Sequence, residues 1–364
     1  MRLSRTLSLY IGRQFLTWLI AVFVALLFTV FLGDLAELWR RAAGKPSATF
    51  DLVLRMSLLK LPHLAQELLP FVILFASMLT FWRMTRNHEL TVVRAAGVSV
   101  WQFLLPVVVV TLGVGVIKLA VLNPVAAAFY SGFERLEATT LRGRSSLLAV
   151  SGNGLWLREG DAQSNSVIHA QRLSSQEMEL FDVMILTFQS QDRFVGRVDA
   201  RSARLEPGHW QLRDAWINTA GQPPRFVSEH QVPTTLTQER IEDSFASPDT
   251  VSFWDLPQSI DTMETAGFSA LRLRLQWYSL MAGPLVLFAM VLIAATFSLR
   301  PARRGGVAAL AFFGVATGFA LFFFTNLVVA LGQTGSIPAL LAAWSPAGIA
   351  TLGGVSTLLH LEDG

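Results

Sequence analysis

No cysteine occurs in the 364 residues, and charged side chains make up only 15% of them. Without cysteine the chain can form neither a disulfide nor a thiolate metal site, whatever the redox state around it. A GxxxxGK(S/T) phosphate loop is also missing. The one Gly-Lys pair, Gly44-Lys45, runs into Pro46, so no segment is recognisable as hydrolysing ATP. His88-Glu89 does not open an HExxH zinc motif, because Val92 stands where the second histidine is needed. No GxSxG nucleophile elbow is present either. These gaps leave no catalytic residue, no metal ligand set and no cofactor site to name. Lysine is absent from Asn123 to Ala270, where 12 arginines face 19 acids for a balance of −7. The whole chain carries +3, so the remainder carries +10, most of it beside apolar runs. That is the charge pattern of a membrane protein and not of a nucleic-acid binder.

What is present is apolar sequence in long blocks. Hydrophobic residues make up 52% of the chain and the mean hydropathy is +0.47, which places it among integral membrane proteins. Gln14–Gly33 is a 20-residue run without charge, enough to cross a hydrocarbon core of about 30 Å. Asp34, Glu37 and Arg40 follow it without a small-x-small cleavage site, so it reads as an uncleaved first span. Asp51–Trp82 as one helix reaches roughly 48 Å, longer than the membrane is thick. Pro62 and Pro70 suggest kinks, with an amphipathic start followed by a span over about Leu61–Trp82. His63 and Glu67 within it share a helix face at i,i+4, two ligands too few for a metal but suited to a paired structural or gating role.

A third span covers about Val100–Leu122 and stops at Asn123-Pro124. A fourth covers Gln276–Leu299. Val307–Leu331 and Pro338–Leu359 supply the last two, with a turn at Gly332–Ser336. Six spans put both termini on one side. Arg2, Arg5, Arg13, Arg83, Arg86, Arg94, Arg300, Arg303 and Arg304 lie on that side, against Arg40, Arg41 and Lys45 in the short loops opposite. The basic side is the cytoplasmic one.

Residues 1–133 thus hold spans one to three, 134–265 an inserted domain, and 266–364 spans four to six. The insert reads as strands over Leu155–Arg158, Val167–Leu173, Leu180–Gln189, Arg193–Glu206, Trp210–Thr219 and Arg225–Val232. Phe194, Gly196, Val198 and Ala200 alternate with Val195, Arg197, Asp199 and Arg201, the period of a half-buried strand. Glu206–His209 marks a hairpin turn. An antiparallel sandwich or jelly roll is expected. The aromatics Trp156, Phe181, Phe188, Phe194, Trp210 and Trp216 can be read simply as its core.

The stretch Arg83–Ser99, RMTRNHELTVVRAAGVS, sits between two uncharged apolar runs and carries three arginines, one histidine and a single acid, Glu89. It reads as a short helix with Asn87 as N-cap, Glu89 in the first turn, and Leu90, Val93, Ala96 and Gly97 on one side. The residues by themselves allow two readings. One is a docking helix for a soluble partner, and the other a plain hairpin whose charges fix orientation.

The words LTFWRMTRNHELTVVRAAGVSVWQFLLPV, LNPVAAAFYSGFERLE, FWDLPQSIDTMETAGFSALRLRLQWYSLMAGPLVLFAMVLIAATFSLR and LAAWSPAGIATLGGVSTLLHLEDG resemble the LptF/LptG (YjgP/YjgQ) permease family of lipopolysaccharide exporters, nearly end to end. The last two look more like the LptG type. The resemblance implies a polytopic helical inner-membrane protein with a periplasmic all-β insert like a β-jelly roll. It implies an ABC-type exporter subunit that pairs with an LptF-like permease above an LptB-like ATPase dimer. Lipopolysaccharide would be extracted from the inner membrane and handed to an LptC/LptA-like periplasmic β-domain protein. The segment at about 83–99 would then be the coupling helix, with Glu89 facing a basic residue of the ATPase and Arg86, Arg94 and Gly97 as orienting and packing positions. A lateral gate would run between spans one and five, for which Val22, Phe28, Phe319 and Phe323 are candidates. LptG-type chains carry basic residues near the outer end of span one. Here Asp34 and Glu37 stand there, and Arg40, Arg41 and Lys45 follow as candidate head-group contacts.

Two other classes compete. A membrane-anchored scaffold presenting a β-domain needs neither the Glu89 segment nor the amphipathic start of span two. A secondary transporter needs intramembrane ion ligands, of which Glu67 alone qualifies.

Overall fold

The computed structural model describes residues 5–43, 49–95, 97–140, 148–151, 154–160, 164–174, 179–189, 193–219, 221–234, 236–237, 247–265, 269–298 and 307–363. Two compact units emerge. One holds Met1–Phe133, Asp249–Trp254 and Arg274–Gly364, the other Glu134–Pro248 and Asp255–Leu273.

Long apolar helices make the first unit, because a chain in lipid must satisfy every backbone group internally. Helix α1 spans Arg5–Ala42 and α2 spans Phe50–Arg86. Thr49 caps α2, its hydroxyl accepting the Leu52 N–H at 3.4 Å, and Asp51 in the first turn complements the helix dipole. Pro62 and Pro70 lie within α2 without ending it, so the amphipathic start and the span are one uninterrupted helix. The short α3 covers Glu89–Ala95 and α4 covers Val100–Ile117, with Ser99 as its N-cap.

The expected stop at Asn123-Pro124 is corrected. A π-helical turn over Lys118–Leu122 leads straight into α5, Asn123–Thr140. The wider turn resets the helical register, and Pro124 then falls in a first turn, where a missing N–H leaves nothing unsatisfied.

Helix α6, Leu256–Thr265, belongs to the second unit, and after it come the spans α7, Leu271–Ser298, α8, Val307–Gln333, and α9, Ala339–Asp363. The turn after α8 is closed by Gly335 at φ 74°, its N–H reaching the Gly332 carbonyl at 3.1 Å. Six helices among the described residues are long and apolar enough to cross a membrane, as the sequence predicts. They are not equivalent. In the most apolar stretch of α2 and of α7, 67% of residues are buried, against 11% in α1 and 17% in α8. Helices α2 and α7 form the interior, with Ile73, Leu74, Leu287 and Val291 fully enclosed.

The second unit is the expected all-β insert. Seven strands form it: β1 Leu148–Ser151, β2 Gly154–Gly160, β3 Ser164–Ser174, β4 Glu179–Gln189, β5 Arg193–Glu206, β6 His209–Thr219 and β7 Arg225–Pro233. Six lie where the sequence places them, and β1 is additional. The strands pair antiparallel in sequence order from β1 to β7. The described strands thus form an up-and-down meander, without the Greek-key crossings of a two-sheet jelly roll.

One face carries the core: Leu155, Leu157, Ile168, Ala170, Val183, Ile185, Ala200 and Ala215. Asp182 and Asp214 adopt left-handed φ of 54° and 52° in mid-strand, a conformation that aspartate tolerates better than most residues. Across them the buried positions change parity, from Val183 and Ile185 to Leu180 in β4, and from Ala215 to Leu212 and Trp210 in β6. A one-residue step would otherwise turn every apolar side chain outward. The left-handed residues absorb that step and keep the core on one face.

The reading of the aromatics as core is likewise corrected. Trp210 alone is enclosed, while Trp156, Phe194 and Trp216 are 38%, 48% and 50% exposed.

Candidate coupling segment and lipid-facing surfaces

The turn between α2 and α4 is built by its own sequence. The expected capping of α3 by Asn87 is corrected: Asn87 closes α2, its N–H donating to the Arg83 carbonyl at 3.0 Å. His88 then takes φ 61° and redirects the chain, so that α3 begins at Glu89. Gly97 at φ 79° ends the segment with the Val98 N–H reaching back to the Val93 carbonyl, a left-handed stop suited to glycine.

Leu90 is buried in the helical core and Val93 packs against it. Val92 points the other way and is 69% exposed. The Glu89 carboxylate accepts the Tyr10 hydroxyl at 3.1 Å and the Asn87 amide at 3.2 Å. No cation lies within 4.0 Å of it among the described residues. Arg86 instead rests over the Trp82 ring at 5.4 Å. The Arg94 side chain and Ala96 lie outside the described residues, as do Arg300, Arg303 and Arg304. The result is a short amphipathic helix held to the core by one face, with Glu89 bonded to Tyr10 and Asn87 and the exposed Val92 on the other. Sequence reasoning missed Tyr10, which is 79 positions away from Glu89, and Val92, which looks like core in a β-branched run.

The gate candidates fall on two peripheral helices. Phe28 on α1 is 60% exposed, and Phe319 and Phe323 on α8 are 45% and 72% exposed. Phe319 also leans on Phe71 of α2, ring centroids 4.8 Å apart. Val22 differs, packing partly against the core. An apolar groove of about 180 Å³ beside it is lined by Leu19, Ile20, Phe23, Leu69 and Val72. Helix α8 approaches α2 closely because it presents glycine: a Cβ on Gly318 would collide with Leu74, and one on Gly314 would stand 2.9 Å from Met78.

The head-group candidates are already engaged. Arg40 donates to Glu37 at 2.7 Å and Arg41 lies 3.6 Å from the same carboxylate. Asp34 pairs with Lys60 at 2.5 Å, a partner that sequence reasoning did not assign. Lys45 lies outside the described residues. His63 and Glu67 form the predicted i,i+4 pair at 3.4 Å, and His63 stacks on Tyr130. No cluster of metal-ligating side chains occurs among the described residues.

Comparison with known proteins follows the same lines. The family described as lipopolysaccharide export system permease LptF/LptG matches residues 9–360. The lipopolysaccharide export system permease protein LptG of Escherichia coli K12 is 24% identical over 296 residues, covering 80% of each chain. LptG of Haemophilus influenzae is 24% identical over 358 residues, covering 94% of each. Six spans, an inserted β-domain and a match over nearly the whole length agree: the chain belongs to the LptF/LptG family of lipopolysaccharide export permeases.

Proposed function

We propose that this chain is the LptG-like half of an ABC-type exporter that lifts lipopolysaccharide from the inner membrane, with ATP hydrolysed by a separate subunit. The observation that carries the reading is α3: Leu90 and Val93 hold it to the core while Val92 faces outward beside Glu89, which has no cation within 4.0 Å among the described residues. An LptB-like ATPase dimer docks there, a cationic side chain on it meeting Glu89. The chain itself has no phosphate loop and works as a transporter subunit, not as an enzyme. Both termini and α3 are cytoplasmic by the arginine distribution, and the β-domain is periplasmic.

An LptF-like permease covers the exposed faces of α1 and α8, where Phe28, Phe319 and Phe323 line the lipid path. Arg40 and Arg41 stand near the head group, softened by Glu37. From there the β-domain passes lipid to an LptC/LptA-like periplasmic protein, pairing edge to edge through β1 or β7.

Glu89→Lys tests the reading. The variant inserts normally but loses lipopolysaccharide export or the co-purifying ATPase. Wild-type export with unchanged ATPase co-purification would remove the coupling role.

A further inference from the structure

The face of the β-sheet opposite its core carries a row of side chains in direct register. Trp156 of β2 pairs with His169, His169 with Met184, Met184 with Asp199, Asp199 with Trp216, and Trp216 with Phe226 of β7. Residues opposite one another in adjacent strands share a face, so six strands contribute to one line. Its ends are ring pairs: Trp156 and His169 with centroids 4.3 Å apart, Trp216 and Phe226 with centroids 5.3 Å apart. Trp156, Trp216 and Phe226 are 38%, 50% and 50% exposed. Between the ring pairs lies an open groove of about 460 Å³ that Met184 and Asp199 help to line. From His169 on β3 to Trp216 on β6 is three strand spacings, roughly 14 Å.

The polar groups around this groove are fixed and nearly balanced in charge. Arg197 grips Asp199 through two nitrogens, the shorter contact 2.6 Å, and Asn218 adds a third donor at 3.5 Å. Arg201 lies 4.0 Å from Asp214, one of the two left-handed aspartates. Asp182, Asp199 and Asp214 each lie beside one arginine, Arg172, Arg197 and Arg201. A phosphate would require excess cation here, and an acyl chain would require a dry surface free of charge. Flat rings at both ends of a shallow groove, with held carboxylates and guanidinium groups between them, fit a ligand with apolar ring faces and many hydroxyls.

We propose that this face binds the oligosaccharide portion of the exported glycolipid, its sugar rings stacking on Trp216 and Trp156 and its hydroxyls reaching Asp199, Arg197 and Asn218. The inference rests on the lipopolysaccharide cargo argued above. It assigns the sugars to a surface separate from the helices that would take the acyl chains.

The test uses the full chain in detergent and, as probe, lipid-free core oligosaccharide released from lipopolysaccharide by mild acid, followed by saturation-transfer NMR. Transfer to sugar protons is expected with the wild type, with Trp216→Phe preserving it and Trp216→Ala weakening binding about tenfold. Trp156→Ala should weaken it further in the double variant. Both sites are on the exposed face, and an unchanged thermal transition shows that the fold is kept. Absence of transfer, or equal transfer in the double alanine variant, overturns the proposal. Loss of a co-purifying periplasmic protein in Trp216→Ala, with sugar binding unchanged, also overturns it and makes the face a protein interface. If intact lipopolysaccharide still co-purifies while the oligosaccharide fails, the cargo reading stands and only this site falls. If neither binds, the cargo reading fails with it.

Discussion

Helix α1 is the most apolar span of the chain and α2 is among the less apolar, with mean hydropathies of 2.7 and 1.8. In water the order of burial would follow those numbers. Here it is reversed, with α2 enclosed and α1 exposed along most of its length. The reason lies in the solvent. Lipid tails welcome Leu16, Ile20, Val24 and Phe28 as readily as a protein interior does, so apolarity alone draws nothing inward. Polar groups do discriminate. Ser57, Gln66, Ser77 and Thr80 of α2 are all buried. Gln66 accepts across helices from Asn123 at 3.4 Å and Thr80 bonds the Ala76 carbonyl of its own helix at 2.7 Å, while the Ser57 and Ser77 hydroxyls have no partner among the described residues. Small residues then decide which helix comes close, as Gly314 and Gly318 do for α8 on α2. The exposed stripes of α1 and α8 are surfaces left for lipid or for a second subunit.

That contrast can be broken most sharply by chemistry at the surface. Photo-crosslinkers at Phe28 and Phe323 should capture lipopolysaccharide in a working exporter, an all-or-none signal. The same group at Ile73, enclosed in α2, should capture none. Capture of ordinary phospholipid alone at both exposed sites would leave these helices as bilayer-facing walls.

Stability gives the next largest difference. Ile73→Ala should cost about 2–5 kcal/mol because it opens a cavity inside the bundle. Val24→Ala, on the exposed stripe of α1, should stay within about 0.5 kcal/mol. Thermal inactivation in one detergent compares the two, and similar losses would mean that burial in the isolated chain does not govern its stability. Gly318→Leu follows, with an overpacking cost of about 1–3 kcal/mol as α8 is pushed from Leu74. Gly353→Leu on α9 is its control, since nothing lies within 4 Å of a Cβ there.

How much of this was legible in the sequence depends on which period carried the information. Strands β2 to β7 were visible because alternation and turn residues mark them locally. The face of each aromatic was not visible, because the left-handed Asp182 and Asp214 shift parity along the strand without changing the composition. Span number followed from apolar length. The passage through Asn123-Pro124 did not, because a π-turn depends on how Lys118–Leu122 pack and not on any breaker residue. In the Arg83–Ser99 segment the placement of Glu89 in a first turn was legible, but Gly97, expected on the helix face, lies beyond the helix end at φ 79°. The role of Asn87 was misassigned because the same residue type favours both ends of a helix, and His88 decided between them by turning left-handed. Lys60 escaped notice as the partner of Asp34 because 26 residues separate them.

The smallest predicted effect concerns a hydrogen bond that ties α1 to α3. Tyr10 near its start donates to Glu89 at 3.1 Å and is itself 45% exposed. A hydrogen bond to a charged group contributes about 1.5–3 kcal/mol, which solvent exposure brings down here to the about 0.5–1.5 kcal/mol of an ordinary one. Tyr10→Phe keeps the ring and removes only the donor. Global stability should therefore barely change, while α3, a helix of seven residues with few bonds of its own, should open more often. Amide exchange from Glu89 to Val93 should quicken about two- to tenfold in hydrogen–deuterium measurements, the factor that such an energy implies. Amides in the middle of α2 and α7 should be unaffected, since their protection comes from burial. If the α3 amides exchange at the wild-type rate in Tyr10→Phe, the hydroxyl does not hold the helix. The rigidity of α3 would then come from Leu90 and Val93 alone.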